Sequence, residues 1–450
     1  MQDRNQRNSH QANGNVGGTK GLNARLTAAN ILTQIIDQKA SFDDVADIRK
    51  GSAEFKKLDN RDQSLAKAIV LTSLRNKTRI DAILKHSWNR KPPQKARFLI
   101  HILETAAAQI LFMDIPESAA VNLAVTAIRN DKRTTRFASF TNAVLRNLVR
   151  ERAQSLEKSE SLTLFPDWMQ KTLTRDFGRE KTAQMSVAIA MEPTLDLNGK
   201  RELNFENLEM IDLPGGGKRL ISSLPVHELP GFDAGDWWIQ DIAAAQPVRL
   251  LKDIKGKKVA DLCAAPGGKT MQLAALGADV TAVDISKRRL ERLQENLDRT
   301  GLKAKLVQAD ITVFEPEELF DAILLDAPCT ASGTMRRHPD ILWNTAQQDI
   351  LELAELQKTL IKKAASWLKP GGILVYANCS VFKDEGENLI ANLQIEDVVR
   401  DPIDPAELPG LEFCVNGQGA FRSLPHFLEL DPKEKSGMDG FFAARFIKKS

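Results

Sequence analysis

The chain has 450 residues, 42% hydrophobic and 27% charged, a composition that fits a soluble globular protein and a length that exceeds one ordinary core. No apolar run approaches the ~18 residues of a membrane span, and the polar opening MQDRNQRNSHQANGNVGGTK lacks the apolar centre of a secretory signal, so a disordered tail over 1–21, no membrane and a cytoplasmic location are expected. The net charge of +3 is unevenly spread: residues 1–160 hold 27 Lys and Arg against 16 Asp and Glu, and the remainder 35 against 43, which suggests a polyanion docked by the front half.

From Leu22 to Arg150 the apolar residues recur three and four apart, as in LTAANILTQIIDQ, FLIHILETAAAQILFM and FTNAVLRNLVRERAQ, and the pattern predicts an all-α domain over 22–150. The charged stretch ERAQSLEKSESLTLF before Pro166 reads as a linker. Residues 166–250 begin with helical FPDWMQKTLTRDFG and continue through turn-rich segments such as PGGGKR and LPVHELPGF, which predicts a small α+β subdomain. Trp237 and Trp238 could stack on a base, but packing of that subdomain is the better reading.

Over 251–450 short apolar runs, KVADL, DVTAV, AKLVQ, FDAILL and GILVYA, alternate with helical stretches, the signature of a doubly wound parallel sheet in a C-terminal α/β domain. Ser286 and Gly301 bound one helix as N-cap and stop, and GMDGFFAARFIKK reads as a closing strand that can enter antiparallel.

Asp261-Leu-Cys-Ala-Ala-Pro-Gly-Gly-Lys-Thr270 lies where the first of these strands turns into a helix, with Gly267 and Gly268 permitting close backbone approach to a ligand. Asp284 ends the second strand, where a carboxylate can accept from ribose hydroxyls, and Asp310 ends the third, where it could reach an adenine amino group. The turn alone is a weak signal and fits neither G-x-G-x-x-G nor the Walker lysine pattern, but the full set on successive strands indicates a nucleoside cofactor.

Four cysteines, Cys263, Cys329, Cys379 and Cys414, form no Cys-x-x-Cys pair, so neither a metal site nor a disulfide framework is expected. Two of them emerge at neighbouring strand ends: Asp326-Ala-Pro-Cys329 and Asn378-Cys379-Ser380. Carbon 5 of a pyrimidine becomes nucleophilic when a thiolate adds to carbon 6 and a carboxylate such as Asp326 stabilises the protonated ring nitrogen. One cysteine attacks and the other can help release the product; position alone does not order them.

These segments carry a specific resemblance. DLCAAPGGKT, DAPCTASGTMRRHPDI and YANCS resemble the motifs of the RNA 5-methylcytosine methyltransferase family, while IPESAAVNLAVTAIR and FASFTNAVLRNLVR resemble a NusB-like RNA-binding domain. The arrangement is similar to the branch acting on small-subunit (16S) ribosomal RNA. The resemblance implies S-adenosylmethionine as cofactor, ribosomal RNA as partner and a monomer. It also implies Cys379 as nucleophile, Cys329 as the release residue, and Cys263, Ala264, Ala265, Pro266, Gly267, Gly268, Lys269, Asp284, Asp310 and Asp326 as the cofactor site. The family usually has Thr where this chain has Asn378.

Arg336-Arg337-His338 forms a basic loop that could position an RNA phosphate. Three rival readings fit less well. A DNA cytosine methyltransferase would use Cys329 first, but Thr330 stands where that family has glutamine; a nicotinamide dehydrogenase would want G-x-G-x-x-G; and the Asp and Cys set argues against a non-catalytic RNA-binding factor.

Overall fold

The computed structural model describes residues 21–48, 51–88, 92–93, 96–205, 208–222 and 224–450. The tail expected over 1–21 lies, apart from Gly21, outside the described residues. The chain forms two compact units, one running to Pro166 and taking in His338–Asn344, the other holding Asp167–Arg337 and Thr345–Ser450.

The first unit is all-helical, with main helices at Leu22–Gln38, Asn60–Arg75, Lys77–Ser87, Arg97–Phe112, Glu117–Asn130 and Ala138–Arg150. Arg97–Phe112 is apolar nearly all round, so it is buried on every side among the others. Arg152–Ser159 is a further helix where the sequence suggested a linker; Leu156 gives it one apolar anchor on the core. Segment 338–344 supplies Asp340, which accepts the Phe42 N–H at 3.0 Å, and Trp343, whose indole donates to the Leu74 carbonyl at 2.8 Å.

A charged network is closed inside this unit. Lys77 donates to Glu104 at 2.6 Å and to Asp81 at 3.0 Å, and His101 bridges Glu104 at 2.8 Å and Asp37 at 3.1 Å. Burial works to raise the Glu104 pKa, but Lys77 and His101 outweigh it and hold the carboxyl down at about 2.

The second unit begins with a helix, Asp167–Ala190, broken at Gly178, whose φ is +83°. A small antiparallel sheet follows from β1 (Leu195–Gly199), β2 (Met210–Asp212), β3 (Lys218–Leu220) and β4 (Trp237–Ile239), in the order β2-β3-β1-β4. Trp237 is buried in the core of this sheet and Trp238 against Ala264, Ala265 and Leu293 of the following domain, their indoles donating to the Pro230 carbonyl and the Gln240 side chain, both at 2.8 Å, so packing is their role.

The large sheet comprises β5 (Lys258–Leu262), β6 (Asp279–Asp284), β7 (Lys305–Gln308), β8 (Phe320–Asp326), β9 (Leu368–Asn378), β10 (Val398–Arg400), β11 (Phe421–Ser423) and β12 (Phe441–Lys448). Its order is β10-β12-β9-β8-β5-β6-β7, with β11 also on β12. Strands β5 to β9 pair in parallel, and β12 enters antiparallel against β9, as the sequence led us to expect. Both faces are covered: Val259, Leu324 and Val375 belong to one core, Ala260, Ile323, Leu325 and Leu374 to the other. The chain reverses its winding between β5 and β8, so the crevice at their carboxyl ends is where a ligand can enter.

Replacing Lys77 by Met should leave the Glu104 carboxylate buried without its cation. The expected loss is about 3–5 kcal/mol of stability, read by urea unfolding of the full chain. A loss below about 1 kcal/mol would show that Glu104 finds its compensation elsewhere.

Candidate active site

The turn after β5 is shaped by its glycine. Gly267 has φ +107°, and a Cβ there would lie 2.8 Å from the Leu293 side chain on the next helix. That helix, Lys287–Thr300, starts at Ser286, whose hydroxyl accepts from the Arg289 N–H, and ends at Gly301 with φ +66°. Asp284 ties the turn to β6. Its buried carboxylate accepts from the Ala265 N–H at 3.2 Å and the Ser286 N–H at 2.8 Å, with Arg289 at 2.9 Å. Ala264 and Ala265 are buried, and Cys263 sits half-buried with φ +62°. Burial, reinforced by Asp326 and Asp284, pushes the Cys263 thiol up to about 12, so it stays protonated.

Lys269 reaches across to β8, donating to Asp326 at 2.8 Å and lying 4.9 Å from the Phe441 ring centre. Burial works to lower its pKa, but Asp326 more than offsets this, so the ammonium is held above its ordinary value. The structure therefore brings residues 263–269, Asp284 and Asp326 together. Asp310 stands outside this set: it is exposed two residues beyond β7, and its carboxylate accepts from the Thr312 N–H at 2.9 Å and hydroxyl at 2.7 Å.

The sequence reading missed Asp261. One of its oxygens accepts from the Thr270 hydroxyl at 2.6 Å; the other is buried and has no partner among the described residues. Burial pushes its pKa up to about 7. An unpartnered carboxylate oxygen among Asp284, Asp326 and Lys269 fits a cofactor that brings a hydrogen-bond donor or a cation. The only signal in the sequence is a carboxylate at the end of the strand that opens the turn.

Cys329 and Cys379 meet. Their sulfurs are 3.5 Å apart, and both residues are half-buried. The hydrogen bond with Cys379, together with burial and the nearby Glu385, pushes the Cys329 thiol well above its ordinary range. Cys414, by contrast, is buried in the core, and burial alone pushes it up to about 12.

The Cys379 backbone is pinned by an unusually close approach. Its carbonyl accepts the Gly333 N–H at 2.8 Å, and the Gly333 carbonyl accepts the Gly440 N–H at 2.9 Å. A Cβ on Gly333 would fall 1.8 Å from the Gly440 oxygen and 2.8 Å from the Cys379 oxygen.

Arg336 and Arg337 do not form a free basic loop. Arg336 donates to the carbonyls of Glu192 at 2.9 Å and Ser436 at 2.7 Å, while Arg337 binds Asp241 at 2.5 Å and Asp439 at 3.1 Å. They hold the subdomain and the C-terminal segment around the Pro-Cys turn. His338 lies in the helical unit, 3.8 Å from Asp43.

Gly333→Ala should cost about 1–3 kcal/mol or more through overpacking, seen as a lower melting temperature, whereas Gly417→Ala, with nothing within 4 Å, should leave it unchanged. Equal melting temperatures would show that the close approach does not constrain the Cys379 turn.

Residues 22–150 match the NusB family, and residues 248–447 match the family described as 16S rRNA methyltransferase RsmB/F. Ribosomal RNA small subunit methyltransferase B of Klebsiella pneumoniae is 32% identical, covering 96% of this chain and 99% of that protein. The protein of the same name from Xylella fastidiosa is 34% identical, covering 94% and 100%. Among solved structures, PH0851 aligns with a TM-score of 0.70 at 24% identity over 95% of this chain and 98% of its own. NSun6 from Pyrococcus horikoshii with SFG aligns at 0.54 and 20% over 64% and 99%. Both structures speak to the fold alone. Given the near-complete overlap with the two methyltransferase B proteins, the chain belongs to the RsmB/F family of 16S rRNA methyltransferases.

Proposed function

We propose that this protein methylates carbon 5 of a cytosine in small-subunit ribosomal RNA through a covalent adduct on Cys379, with Cys329 assisting release. The methyl donor of this methyltransferase is S-adenosylmethionine, which supplies an electrophilic methyl group when bound. Residues 263–269, Asp284 and Asp326 would hold it, with Asp261 offering its unpartnered oxygen; Asp310 would join from the exposed edge.

The observation that carries the reading is the pair of thiols 3.5 Å apart at the ends of adjacent parallel strands. Either thiol can donate to the other across this contact, and the assignment of Cys379 as the attacker rests on the resemblance of YANCS to the family motif. Cys379 adds to carbon 6, and electron density moves to carbon 5. Asp326, oriented by Lys269, stabilises the protonated ring nitrogen. Once carbon 5 carries the methyl group, water takes its proton, the C–H pair re-forms the double bond to carbon 6, and Cys379 leaves with the C–S pair, to which Cys329 can return a proton. Asn378, where the family usually has Thr, accepts the Ser380 N–H at 2.9 Å with its side-chain oxygen.

The DNA-type alternative requires Cys329 as nucleophile with glutamine after it, and here Thr330 follows, its N–H and hydroxyl both given to Glu385. The basic helical unit suits docking of the RNA backbone, and the target base must be unstacked for a thiolate to reach carbon 6 from one face. The protein is read as a monomer in this role.

Two measurements test the reading. Cys379→Ala should abolish methyl transfer with cofactor affinity within about twofold, while Cys329→Ala should accumulate a protein–RNA complex that survives denaturing electrophoresis. Trapping in the Cys379 variant instead would reverse the two roles. Asp284→Ala should weaken S-adenosylhomocysteine binding at least about tenfold by calorimetry, since it removes a ligand and loosens the Ala265 turn; unchanged affinity would take Asp284 out of the cofactor site.

A further inference from the structure

Behind the two cysteines lies a buried polar cluster organised on Glu385, a residue with no solvent exposure. One carboxylate oxygen accepts the Thr330 N–H at 2.9 Å and the Gln357 amide at 3.0 Å. The other accepts the Thr330 hydroxyl at 2.6 Å and the Ser380 hydroxyl at 2.5 Å. Thr330 directly follows Cys329, and Ser380 directly follows Cys379. One carboxylate thus receives hydrogen bonds from both cysteine turns, and all four of its lone-pair positions are used.

The surroundings brace the same arrangement. The Ser332 hydroxyl lies 3.1 Å from both the Thr330 and Ser380 hydroxyls and accepts the Val381 N–H at 3.1 Å. Gln357 also donates to the Pro328 carbonyl at 2.9 Å, just before Cys329. Asn378 donates to the Tyr376 hydroxyl at 2.8 Å and to the Glu385 carbonyl at 2.7 Å. A threonine hydroxyl has one hydrogen to give, so it could not make both of these bonds.

Among the described residues no salt bridge reaches Glu385, and its burial raises its pKa despite the donors around it. A buried carboxylate without a cation partner is a poor way to gain stability, since apolar replacements commonly do as well. Its reach to two separate turns is the property no apolar residue supplies.

We propose that Glu385 is a positioning residue for the two-thiol reaction: by holding Thr330 and Ser380 on one carboxylate, it sets the separation of the Cys329 and Cys379 sulfurs. This rests on the two-thiol reading of the site. Gln at this position keeps the shape but turns an amide donor toward groups that themselves donate. Asp keeps the charge but shortens the reach.

The test uses the full chain as wild type, Glu385→Gln and Glu385→Asp. Sulfur proximity is read without RNA, as the rate at which diamide closes a Cys329–Cys379 disulfide, the two thiols giving two electrons and two protons to the azo bond. Both variants should close at least about tenfold more slowly and lose at least about tenfold in kcat, with KM for an rRNA fragment and S-adenosylhomocysteine affinity within about twofold. Wild-type closure in Glu385→Gln overturns the proposal, and so does wild-type closure in Glu385→Asp, which would make charge rather than reach the cause. If a Glu385 variant loses cofactor binding through misfolding, Thr330→Val with Ser380→Ala removes the same bonds from the other side and is held to the same criteria. Slow closure in the variants, with no cytosine adduct in the wild type, would uphold the clamp while defeating the covalent reaction.

Discussion

The parallel pairing of β8 with β9 is the constraint from which the site follows. Asp326 stands opposite Ala377; three residues beyond the one and two beyond the other come Cys329 and Cys379, whose sulfurs meet at 3.5 Å. A slip of one residue would turn every side chain of the strand to the opposite face. The register withstands this because both faces are buried, with Leu324 and Val375 packed into one core and Ile323, Leu325, Leu374 and Tyr376 into the other. Thus the hydrophobic pattern of two strands determines a chemical distance. Gly333 and Gly440 then fix the height of the Cys379 turn over the strand ends.

Four cysteines of identical chemistry are sorted by their surroundings alone. Cys414 is core. Cys263 is a protonated wall beside two carboxylates, and Cys329 is a thiol pushed upward by its contact with Cys379. Lys269, from the segment after β5, joins Asp326 on β8, so the residues assigned to cofactor and to substrate share one ion pair.

Much of this was legible in the sequence because it is encoded locally. The strands from Lys258 to Asn378 show as apolar runs, the helix Lys287–Thr300 carries its own cap and stop, and the Asp and Cys residues sit at strand ends. What escaped was encoded at long range. Glu385 drew no reading from its sequence, yet it is fully buried and accepts from Thr330 and Gln357, 55 and 28 residues away. Arg336 and Arg337 read as a phosphate-binding loop, but partners 96 to 144 residues distant claim their guanidinium groups. A charge has the same letter whether water or a remote carbonyl solvates it.

The segment His338–Asn344 bears on how such a chain could be cut or recombined. It leaves the second unit directly after Arg337, completes the helical unit with Asp340, Trp343 and Asn344, and returns at Thr345. The helical unit is therefore not a bead on a string whose gene segment ends at one boundary. A chain begun at Asp167 would carry seven residues shaped for absent partners, with the Trp343 indole stripped of its acceptor. Modularity here runs along the three-dimensional cores rather than along the reading frame, so a cut at one boundary separates neither unit cleanly.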